Sequence, residues 1–76
     1  MAVNDVYANY LRDLGQLIRE QAIAAKDAAA AGDAFERGRL SAFHEVLSLV
    51  EKQATAFNVP LGDLALDGFD ADRDLL

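Results

Sequence analysis

The feature that most constrains this chain is a three-residue break, Ala31-Gly32-Asp33, between two long runs that contain no proline. Gly32 suits the left-handed position that terminates a helix. Asp33 followed by Glu36 resembles a capping box, with Asp in place of the usual Ser or Thr. So short a connection forces the two flanking helices to lie side by side and antiparallel. The sequence therefore predicts an all-α helical hairpin, with helices over about 5–31 and 33–58.

In the second run, Phe35, Leu40, Phe43, Val46, Leu47, Val50, Ala54 and Phe57 recur every three or four positions. The polar residues Arg37, Ser41, His44, Glu45, Ser48, Glu51, Lys52 and Thr55 gather on the other side, as in an amphipathic helix. Written as a heptad with Phe43, Val50 and Phe57 at a, the apolar set also takes d, e and g. A two-helix seam needs little more than a and d, so this helix is expected to contact at least two others.

The first run carries Tyr7, Tyr10, Leu11, Leu14, Leu17, Ile18, Ala24, Ala25 and Ala28 at the same spacing. Asn4 or Asp5 is the expected cap. Ala8, Gly15, Ala22 and Ala29 form a small-residue row repeating every seven positions. Such a row lets a neighbouring backbone come close, which would offset the roughly 1 kcal/mol that glycine costs against alanine in a helix interior. Gln21 and Gln53 fall at seam positions, where an amide can fix register.

The second helix is expected to end near Asn58, which tolerates left-handed geometry, ahead of Pro60. The remaining segment, 59–76, holds five Asp against one Arg, together with Leu61, Leu64, Leu66, Phe69, Leu75 and Leu76. That is too much apolar bulk for a solvating tail. It is expected to pack on the hairpin or on a partner, with a short turn of helix after Pro60.

The composition excludes more than it assigns. With no cysteine there is neither disulfide nor thiolate metal site. The formal charge is −6 with no basic concentration, which disfavours nucleic acid; it serves solubility first, and a basic protein partner is the electrostatically easier alternative. No apolar run reaches the roughly 18 residues a membrane span needs, and the start has no secretory pattern, so a cytoplasmic protein is expected.

Sites for chemistry are equally scarce. His44-Glu45 begins a zinc motif that Ser48 breaks, and the one histidine is then spent. The acids of 70–74 open like a calcium loop but lack its glycine and its twelfth ligand. No catalytic residue, cofactor or metal is expected.

Two functional readings follow. In the first, the protein is a non-enzymatic interaction module (adaptor, regulator or inhibitor-type partner) acting as a homodimer, with two hairpins forming a four-helix bundle. Phe69, Asp70, Asp72, Asp74 and Leu75 are its candidate partner-binding residues. In the second, Tyr7, Tyr10 and Phe57 line a small-ligand pocket at the open end of the hairpin. In helix lengths and short turn the arrangement is similar to the small two-helix dimers of the Rop type, a resemblance of architecture that brings no function with it.

Overall fold

A computed structural model describes residues 3–76, and all regular structure among them is helical. Helix α1 spans Val3–Ala30, α2 spans Ala34–Ala56, a 3-10 turn follows over Leu61–Leu64, and a short α3 spans Ala71–Leu75. Helices α1 and α2 form the antiparallel hairpin.

Local chemistry sets each boundary. Gly32 stands at φ +96°, and the N–H groups of Ala31 and Gly32 close the last turn of α1 on the carbonyls of Ala28 and Ala29. The Asp33 carboxylate caps α2 by accepting from the Glu36 N–H at 3.1 Å. Only this half of the expected box forms, because the Glu36 side chain turns instead to Arg39 at 2.8 Å. Helix α1 is already under way at Val3, so Asn4 and Asp5 lie within it and do not cap it. Asp5 still complements the positive end of the helix.

At the far end of α2, Asn58 takes φ +56°. Its N–H donates to Thr55 at 3.2 Å and the Val59 N–H donates to Ala54 at 2.8 Å, the paired bonds of a Schellman ending. Pro60 then leads into the 3-10 turn, which closes through the left-handed Ala65. Helix α3 leaves no periodic signal in the sequence. Asp70 caps it by accepting from the Arg73 N–H at 2.9 Å, while Asp74 accepts from the Asp70 N–H at 3.0 Å.

The chain after α2 is the second layer of the molecule. Leu66, Phe69, Ala71 and Leu75 are buried against Ala22 of α1 and Leu47 of α2. Ile18, Leu40, Phe43, Val50, Leu61 and Leu64 flank this core. Gly15 sits beneath the 3-10 turn, where a Cβ would lie 2.9 Å from the Leu64 carbonyl carbon and closer still to its oxygen. The close approach expected at Gly15 therefore exists, but the approaching backbone is the turn of the same chain. Ala22 is also used, being fully buried, whereas Ala8 faces solvent.

The result is a thin slab of 46 × 24 × 17 Å with a radius of gyration of 13.5 Å. A compact chain of this length would have about 11 Å. The excess reflects long helices covered on one side only.

Candidate functional site

The two faces of the hairpin differ in kind. On the covered face, polar groups of the long helices hold the backbone of the C-terminal layer. Arg19 donates to the carbonyls of Ala65 and Asp67 at 3.1 and 3.2 Å and lies over the Phe69 ring, 5.3 Å from its centroid. Lys26 donates to the Asp74 carbonyl at 2.7 Å. Glu51 of α2 accepts from the Ala71 N–H at the start of α3. His44 Nε2 lies 2.7 Å from the Asp72 carboxylate, joining α2 to α3. Of these four side chains the sequence singles out only His44, as part of a broken zinc motif on the polar side of the second run.

This arrangement gives each residue of the expected partner-binding set a place in the C-terminal layer. Phe69 and Leu75 are core residues, 4% and 1% exposed. Asp70 and Asp74 are occupied in holding α3, and Asp72 pairs with His44. Hydrogen bonds from the Arg73 guanidinium, and then from the Asp70 N–H, bring the Asp74 carboxyl down from 3.8 to about 2. The same pair raises the Arg73 guanidinium, which also donates to the Gly68 carbonyl at 2.6 Å. A depressed carboxyl favours the folded chain above its unfolded value, and that contribution disappears as the pH falls from 3.8 through about 2. An NMR titration of the Asp74 side chain is expected to give a midpoint near 2, and a midpoint at 3.8 would mean that the pair does not form in solution.

The opposite face is bare and apolar. Tyr10, Leu14 and Leu17 of α1 are 61%, 38% and 47% exposed. Phe35, Val46 and Leu49 of α2, with Phe57 just beyond it, are 72%, 47%, 58% and 75% exposed. At 100° per residue, the rows Tyr10-Leu14-Leu17 and Phe35-Val46-Leu49 lie roughly 150° around their helices from the residues that hold the C-terminal layer. Gln21 and Gln53, placed at seam positions by the heptad, are both exposed on this side.

Two grooves run between the helices. One, of about 420 Å³, is lined by Leu11, Leu49, Val50, Gln53, Ala54, Phe57, Val59 and Leu64. The other, of about 270 Å³, is lined by Ile18, Arg39, Ala42, Phe43 and Val46. Tyr7, Tyr10 and Phe57, the residues of the expected aromatic ligand pocket, are all largely exposed. Phe57 lines the larger groove, while Tyr7 and Tyr10 do not and stand 64% and 61% exposed.

No protein-family model, curated protein or solved structure matches this chain. Among the described residues, no group of three or more His, Asp or Glu side chains could hold a metal ion, and no helix is long and apolar enough to cross a membrane. What the bare face offers is a broad apolar contact area with few charges.

Proposed function

We propose that this protein is a cytoplasmic, non-enzymatic interaction module that works as a homodimer, two hairpins joining through their bare faces into a four-helix bundle. The observation that carries this reading is the apolar face itself. Its seven large side chains, about half exposed on average, present roughly 700 Å² of apolar surface. That exceeds the roughly 300–600 Å² patch usual on a monomer and approaches the ~800 Å² per partner of a stable interface. The width of the α2 apolar face has the same explanation: one edge packs on α1, another on the C-terminal layer, and a third remains for the second hairpin.

A small chain with a thin core gains stability by such pairing, which makes its folding dependent on concentration. Light scattering at micromolar concentration is expected to give twice the chain mass. Leu49→Glu, which places a charge in the centre of the face, is expected to reduce it to the single-chain mass while leaving helical circular dichroism in place. A parent chain that stays monomeric across this range would overturn the proposal.

A further inference from the structure

We infer that the second copy closes over the Arg39–Glu36 ion pair, and that this pair, neutral as a unit, is what lets the bare face accept another copy of this chain. The inference rests on the homodimer reading and names the polar element on which assembly depends.

The bare side of α2 is one stripe at steps of three or four residues: Phe35, Arg39, Ala42, Val46, Leu49 and Gln53. The matching stripe of α1 is Tyr10, Leu14, Leu17, Gln21, Ala24 and Ala28. Arg39 is the one charged side chain in the two stripes. It lines the smaller groove with Val46, seven residues or about 10 Å along the helix from it. A second copy that covers the stripe covers Arg39 too, whichever way its helices run.

Two copies bring two guanidinium groups into one apolar contact. Taking a charge out of water is costly unless its counter-charge and hydrogen bonds go with it. Here they do. Arg39 Nη1 donates to both carboxylate oxygens of Glu36, at 3.0 and 2.8 Å. The Glu36 side chain is only 17% exposed, although it stands in the first turn of α2. The guanidinium also lies over the Phe43 ring, 5.5 Å from its centroid, a contact that strengthens as water leaves. Each copy therefore adds no net charge from this pair to the contact.

The same geometry selects the partner. A basic surface would find the Glu36 carboxylate already held by Arg39, and an acidic surface would find Arg39 already held by Glu36. What suits a neutralised pair set among exposed apolar side chains is a surface that is itself neutral and apolar. The bare face of this chain is such a surface.

The experiment is a dimer dissociation constant, measured by sedimentation equilibrium over a concentration series for three chains. Glu36→Gln strips Arg39 of its counter-charge and is expected to weaken the parent dimer at least about 100-fold. Helical circular dichroism is expected to persist, because Gln also serves at the third position of a helix. Glu36→Gln combined with Arg39→Met removes both charges and keeps a long unbranched side chain. This double variant is expected to return to within about tenfold of the parent, as replacing a whole buried pair by apolar groups is often neutral. The two variants share any effect on the start of α2, so the difference between them isolates the unpaired charge. An unchanged constant in Glu36→Gln, or a double variant more than about tenfold weaker than the parent, overturns the role of the pair and leaves the homodimer in place. A parent that stays at single-chain mass overturns both.

Discussion

Gly15→Ala is expected to loosen or detach the whole C-terminal layer, although by helix propensity alone it would stabilise α1. The propensity gain is about 1 kcal/mol. Against it, the new methyl group would lie 2.9 Å from the Leu64 carbonyl carbon and inside the contact distance of its oxygen. Both atoms belong to a backbone turn whose N–H and carbonyl groups are already bonded at Asp63, Ala65 and Leu66, so no rotamer change relieves the overlap. Overpacking against movable side chains costs roughly 1–3 kcal/mol. Against this turn we expect a net loss of roughly 3 kcal/mol, with hydrogen exchange in 61–76 accelerated more than in α1 or α2. A urea midpoint equal to or above that of the parent would show that the turn does not sit on Gly15 in solution.

Phe69→Ala is expected to have the second large effect. Removing a buried phenylalanine from a core costs roughly 3–5 kcal/mol, and in a domain this small there is little reserve. The ring also lies beneath the Arg19 guanidinium, so its loss strips a contact from the group that holds the Ala65 and Asp67 carbonyls. By contrast Asp72→Asn, which weakens a largely exposed pair with His44, is expected to cost about 1 kcal/mol or less. The comparison separates a structural segment from a binding motif. If Asp72→Asn destabilised the chain as much as Phe69→Ala, the core assignment of 69–75 would be wrong.

The hairpin was legible because its determinants are local. Gly32, the Asp33 cap and the Asn58 ending each act within a few residues, and the apolar spacing of both helices names the hairpin's own seam. Gly15 was legible as a close approach, but what approaches it depends on a turn 49 residues away. The polar anchors were hidden for the same reason. Arg19, Lys26, His44 and Glu51 act on backbone or side chains 20 to 48 residues distant, and no local pattern encodes such partners. A trace was present nonetheless. Arg12, Arg19 and Lys26 recur every seven residues, which puts the last two on the face that carries Gly15 and Ala22. Helix α3 escaped because five residues carry too little periodicity to read, and its aspartates read more readily as surface charge than as caps.

The anchors of the C-terminal layer also bear on the lifetime of the folded chain. The bonds from Arg19 to Ala65 and from Lys26 to Asp74 close spans of 46 and 48 residues, whereas the hairpin can zip outward from Gly32 through contacts that begin close in sequence. The layer has no surface to settle on until α2 has brought Leu47 and Glu51 alongside Ala22. We expect its contacts to form after the rate-limiting barrier to folding, where they slow unfolding and scarcely alter refolding. In a chevron plot, Phe69→Ala would then raise the unfolding limb and leave the folding limb nearly in place, and a slowed folding limb would place the layer in the nucleus instead. On this view the hairpin governs how fast the native state is reached, and the layer laid across it governs how long that state persists.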